Sequence, residues 1–150
     1  MNNKFEWHQK IALEERVVQL SCYCNVIQAA LSRVNSMSVT KLLILAFMLK
    51  GRMNSQVNVL DGRTRKNTFS KAACESIGRF QQLRDELPYF AEALQILIDN
   101  EYVRLVREGE VELKMHDIRK CQFGSFEEKL IQECAQLEDK YVLMEVLNNV

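Results

Sequence analysis

The side chains best suited to chemistry are few and scattered. His116, Asp117 and Cys121 lie close enough together to be drawn as a metal or Cys-His site. A zinc site takes three or four ligands at short, regular spacing, and nothing near these residues supplies the rest, so no metal is expected. The other histidine, His8, stands far away near the start of the chain. The five cysteines are odd in number and none is spaced as CxxC; Cys22 and Cys24, two apart in a helical stretch, face different sides of it. That pattern reads as reduced, mostly buried thiols. There is no glycine-rich phosphate loop, no nucleophile elbow and no HExxH. Neither catalysis nor a cofactor is expected of this chain.

Charge is the stronger signal. Lys plus Arg equals Asp plus Glu at 20 each, so no global field draws the protein to nucleic acid or membrane. Along the chain the balance is uneven. Lys50, Arg52, Arg63, Arg65, Lys66 and Lys71 stand against Asp61 alone, whereas Glu127, Glu128, Glu133, Glu138, Asp139 and Glu145 near the end face only Lys129 and Lys140. The six basic residues are the candidate contacts, to a phosphate backbone or to an acidic partner face, with Arg63, Arg65 and Lys66 on a loop as the best placed.

The elements that must position these groups follow from periodicity. MNNKFEWHQK reads as a short extended arm, 1–10, whose Phe5 and Trp7 dock on a surface. From Ile11 to Val34, Leu13, Val17, Leu20, Cys24, Ile27, Leu31 and Val34 recur at spacings of three and four, an amphipathic helix that Asn35-Ser36 breaks. Ser38 then caps a second helix that runs to about Lys50, with Gly51 as its C-cap. Its interior, LLILAFML, is apolar on every side and so belongs at the centre of the core. The irregular stretch 53–67 carries the basic loop, the Asp61-Gly62 turn and VNVL as a possible strand. A third helix, capped by Thr68 or Ser70, is expected to run to the boundary at Pro88, and a fourth from Tyr89 to Asn100. Val103, Leu105, Val111, Leu113 and Met115 alternate with charge around Glu108-Gly109, the pattern of a half-buried hairpin. A single last helix runs from Phe126 to about Leu147, with core residues favoured on its apolar stripe.

Helix, turn, helix and hairpin in this order define an α+β, mainly helical fold with a winged-helix-like core over 11–115, a C-terminal β-hairpin wing and a flanking helix over 125–150, all one domain. Sequence-specific DNA reading is not expected. The helix after Pro88 opens on Tyr89-Phe90-Ala91-Glu92, which is apolar and acidic, and the hairpin's outward residues Arg104, Arg107, Glu110, Glu112 and Lys114 are of mixed sign. A helix approaching DNA would be the third, through Lys71, Arg79 and Arg84. No signal peptide is visible, and the longest apolar run, Leu42 to Leu49, is eight residues where a span needs about 20, so a cytoplasmic location is expected.

LLILAFMLKGR, TRKNTFSKA and PYFAEALQILIDNEYVRLVREGEVEL, together with the region around Asn25, carry a resemblance over roughly 25–115. In this order they resemble the middle component of bacterial ABC three-component systems, the small subunit also found in Lamassu-type anti-phage defence operons. The sequence departs from that pattern in a longer insert over 53–61. The resemblance implies a non-enzymatic, winged-helix-like adaptor that bridges an SMC/Rad50-like ATPase and an effector, often a nuclease, with DNA contact that is at most non-specific. The alternative is a free-standing winged-helix DNA-binding transcriptional regulator, dimeric through its first or last helix.

Overall fold

Residues Leu42–Leu49 leave the second helix no polar side, and the rest of the fold encloses it. The protein is seen here as a computed structural model that describes residues 3–54, 67–115 and 123–148. In order these form α1 (Asn3–Val34), β1 (Ser36–Ser38), α2 (Val39–Asn54), α3 (Thr68–Glu75), α4 (Leu83–Asp99), β2 (Val103–Leu105), β3 (Glu110–Leu113), α5 (Ser125–Gln136) and α6 (Asp139–Asn148). The fold is α+β and mainly helical, with one small antiparallel sheet. Leu42, Ile44, Leu45, Ala46, Phe47, Met48 and Leu49 are all buried, and α1, α4, α5 and α6 pack around them. Ser38 is the cap that the sequence predicts: its hydroxyl accepts from the Lys41 amide at 3.2 Å and donates to Asp139 at 2.8 Å.

Several boundaries differ from the sequence expectation, each for a local reason. The 1–10 arm is not extended: α1 is already helical from Asn3, in a stretch without Pro or Gly and with Glu6 in its first turn, where a carboxylate complements the macrodipole. Gly51 is not a C-cap, because α2 continues to Asn54. A Cβ at 51 would stand 1.8 Å from the Arg79 guanidinium, so glycine is what lets Arg79 lie across this turn and over the Phe47 ring. Asn35 does end α1, by taking a left-handed φ of 67° that asparagine tolerates, and its carbonyl accepts from the Leu113 amide at 2.9 Å.

That bond starts a strand the sequence reading did not contain. The sheet order is β1-β3-β2, with Met37 opposite Val111 and Val103 opposite Leu113. VNVL, the segment expected to supply this third strand, lies outside the described residues, as does the Asp61-Gly62 turn. The hairpin itself turns on Gly109 (φ 76°). Val103, Val111 and Leu113 are buried, but Leu105, at the turn end of β2, and Met115, beyond the end of β3, both expected inside, are 57 and 46 % exposed.

The helix after the basic loop is short. Asn67, not Thr68 or Ser70, caps α3, accepting from the Ser70 amide at 2.7 Å. The break that follows is at Gly78 (φ 84°) instead of Pro88, and α4 begins at Leu83. Pro88 sits inside α4 with its ring exposed, where the one helical hydrogen bond it removes is on the wet side. Phe90, Ala93, Leu94 and Leu97 fill the buried face as expected.

The last helix is two. Its first half packs Leu130, Ile131 and Cys134 inward, then the chain breaks at Leu137–Glu138, and the new register of α6 buries Val142 and Val146. Leu143, Met144 and Leu147, expected on the buried stripe, are exposed as a result. The break is held from below. The Lys41 ammonium donates to the carbonyls of Ala135 and Leu137, each at 3.0 Å, satisfying the unpaired end of α5 and opposing its macrodipole. Lys41→Ala is expected to lower the unfolding free energy by about 1–2 kcal/mol in urea melts; an unchanged midpoint would show that the carbonyls find water just as well.

Candidate functional site

The six basic candidates do not form one surface among the described residues. Arg63, Arg65 and Lys66 lie outside them. Lys50 and Arg52 end the buried helix α2 and are drawn inward with it. The Lys50 ammonium donates to both oxygens of Glu86 on α4, at 2.8 and 2.7 Å, and lies 4.9 Å from the centre of the Tyr23 ring on α1. Tyr23 donates its hydroxyl to the same carboxylate. Burial, and then the hydrogen bond to Glu86 and that carboxylate's charge, push the Tyr23 phenol far above its ordinary range, so it stays a donor. With Lys50 only 6 % exposed, this triad clamps α1, α2 and α4 together and presents no charge to a partner.

Arg52 is engaged in a different direction. It pairs with Glu75 on α3 and, through Nε at 3.1 Å, with Glu127 on α5, and its guanidinium stacks 4.0 Å from the Phe126 ring centre. Lys71 stands in the first turns of α3, half-buried. Arg79 is folded over Gly51 and Phe47 and donates to Ser76 at 3.2 Å, which leaves Arg84 as the exposed member of the set once considered for DNA.

The acidic tail is likewise turned inward. Glu127 meets Arg52, Glu128 pairs with Arg33 at 3.0 Å, and Glu133 accepts from the Thr68 and Phe69 amides at 3.1 and 3.2 Å. Glu133 thus fills the positive N-terminus of α3, the position at which a helix would otherwise receive a phosphate. The basic middle and acidic end, which in sequence suggest attraction to another molecule, are in part attracted to each other. The signal was present as opposite charge blocks in the sequence, but their pairing needs the fold.

Among the described residues no catalytic arrangement is seen. The groove between α3 and α5, about 410 Å³, is lined by Thr68, Glu128, Lys129, Gln132, Glu133 and Gln136, with two of its carboxylates already bonded as above. Burial raises the Cys134 thiol to about 12 and raises Cys24 as well, which keeps both protonated and poorly nucleophilic at neutral pH. Among the described residues no three metal-binding side chains converge, and no helix is long and apolar enough to cross a membrane. His116, Asp117 and Cys121 lie outside the described residues.

What the surface does present is apolar. From Lys4 to Val18 every side chain of α1 is exposed, including Phe5 (70 %), Trp7 (61 %), Ile11 (57 %), Leu13 (61 %), Val17 (54 %) and Val18 (59 %). Tyr141, Leu143, Met144 and Leu147 form a second exposed set on α6, and Leu87, Pro88 and Ile96 a third on α4 beside Asp85 and Asp99. Comparison with protein families, with curated proteins and with solved structures finds no match.

The buried pair gives a direct test of the inward charges. Glu86→Ala leaves the Lys50 ammonium buried without its counter-charge and is expected to cost about 3 kcal/mol or more of stability, much of it recovered by Lys50→Met in the same chain. Urea unfolding checks this; a loss no larger than that of an exposed pair such as Arg104–Glu112, about 0–1 kcal/mol, would mean that Lys50 simply swings out to water.

Proposed function

We propose that this chain is a non-enzymatic, winged-helix-like adaptor that joins an SMC/Rad50-like ATPase to an effector nuclease in a bacterial anti-phage or anti-plasmid complex. The element order α1-β1-α2, two further helices, then β2-β3, with the first strand beside the third, supports the winged-helix part of this reading. The observation that carries the adaptor part is the pair of exposed apolar helix faces, on α1 and on α6, at the two ends of the sequence. Monomeric proteins seldom leave apolar patches of that extent in water, and two separate ones suit a subunit held between two others.

Three features weigh against the regulator alternative. The helix in the recognition position, α4, exposes mainly Leu87, Pro88, Ala91, Ile96, Asp85 and Asp99; of its base-reading side chains Gln95 is bonded to Asp99 at 2.7 Å, which leaves Arg84 alone. The hairpin pairs its own charges, Arg104 with Glu112 at 2.7 Å and Lys114 with Glu101 at 3.2 Å. Lys50 and Arg52 are engaged internally. Any non-specific DNA contact then falls to the loop with Arg63, Arg65 and Lys66, and to Lys71.

Co-expression tests the reading. The chain is expected to co-elute with the ATPase encoded beside it, and Leu143→Asp with Leu147→Asp is expected to weaken that association about tenfold or more without changing the chain's own unfolding. Separate elution of the two proteins, or full retention by the doubly substituted chain, would remove the reading's support.

A further inference from the structure

The exposed half of α1 has more structure than a generic sticky surface. At about 1.5 Å per residue the 32-residue helix is about 48 Å long, and its exposed half is tied to the body near its inner end, where Arg16 pairs with Glu92 on α4 at 2.5 Å. A free helix of that length is marginal in water, so it needs a cover to persist. Its apolar residues fall in two lines. At about 3.6 residues per turn, Leu13 and Val17 continue the line of Leu20, Cys24 and Ile27 that packs against the body, whereas Trp7, Ile11 and Val18 lie on the side facing away from it.

We propose that the outer line is the contact for a second copy of this chain: the exposed halves of α1 pair antiparallel about a two-fold axis beside Ala12. In that register Trp7 lies against Val18 of the partner subunit, and Ile11 meets Ile11 of the partner subunit across the axis. The charges agree. Lys10 comes beside Glu14 of the partner subunit on one flank, and His8 beside Glu15 of the partner subunit on the other, each contact made twice by symmetry. A parallel pair would instead set Lys10 near Lys10 and Glu14 near Glu14. Between Lys4 and Val18 Arg16 is already taken by Glu92 on α4, and Lys4 and Lys10 with Glu6, Glu14 and Glu15 leave a nearly neutral segment whose charges fit its own reversed copy. Because the outer line faces away from α2 and α4, the two bodies lie at opposite ends of the helix pair. The proposal is independent of the ATPase: it takes only the outer line of α1, leaves the exposed Leu13 and Val17 and the α6 face to other subunits, and is untouched by the α6 substitutions.

Trp7 is the single tryptophan of the chain and reports on the interface directly. Sedimentation equilibrium of the full-length protein is expected to give twice the chain mass, with Trp7 emission moving to the blue as concentration rises. Ile11→Glu is expected to give a folded monomer by circular dichroism, since Ile11 lies outside the core. Lys10→Glu or Glu14→Lys alone is expected to weaken pairing about tenfold, because each change acts at two symmetric contacts, and the two together to restore it. A chain that stays monomeric with constant emission overturns the proposal. So does a dimer that survives Ile11→Glu, or a double charge exchange that fails to restore pairing.

Discussion

A helix with no polar side has to be enclosed, and the enclosure of α2 dictates most of the rest. Its seven buried apolar residues need neighbours all round, and α1, α4, α5 and α6 are placed by that need. The consequence for charge is immediate. Lys50 and Arg52 continue the same helix, so the burial that holds Leu49 also carries them out of water. A desolvated cation is tolerable only beside a carboxylate, and each found one on a different neighbour: Glu86 on α4 for Lys50, Glu75 on α3 and Glu127 on α5 for Arg52. These pairs fix which helices touch α2's C-terminal end, a constraint that apolar packing alone would leave loose.

Inward charge and outward apolar surface are two sides of one arrangement. Among the described residues many charges are met within the fold, from Arg52–Glu127 and Arg33–Glu128 to the Glu133 carboxylate on the α3 amides. What faces water on α1, α4 and α6 is instead rich in Trp, Ile, Leu, Val and Met. Such a surface associates with other proteins through burial, with salt playing a minor part, whereas a phosphate-binding surface would do the reverse. The adaptor reading rests on that contrast.

How much of this was legible beforehand depends on the length of the signal. LLILAFML announces a central helix whatever surrounds it, and the alternation on either side of Glu108-Gly109 announces a hairpin. Shorter signals were silent. β1 is only Ser-Met-Ser, too short for any period to appear, and exists because Asn35 turns the chain beside β3. Pro88 stood as the boundary on paper, yet a proline ring pointing to solvent removes a single bond, whereas the positive φ at Gly78 redirects the chain. The split of the last helix depends on Lys41, which lies 94 residues from Ala135 in sequence, so no local pattern could reveal it. Lys50 and Arg52 were illegible as structural residues for a related reason: sequence shows that charges are near one another along the chain, and only the fold shows what these two already touch.

Hydrogen exchange on the chain alone and in its complex with the ATPase tests the central claim most directly. The account predicts slow exchange in α2 and in the buried part of α4 in both states, with new protection on assembly confined to α6 and to the side of α1 that carries Leu13 and Val17. The Lys50–Glu86 junction should read the same in both. New protection at the hairpin and at Lys71 on adding DNA, with α1 and α6 still exchanging freely in the complex, would contradict it.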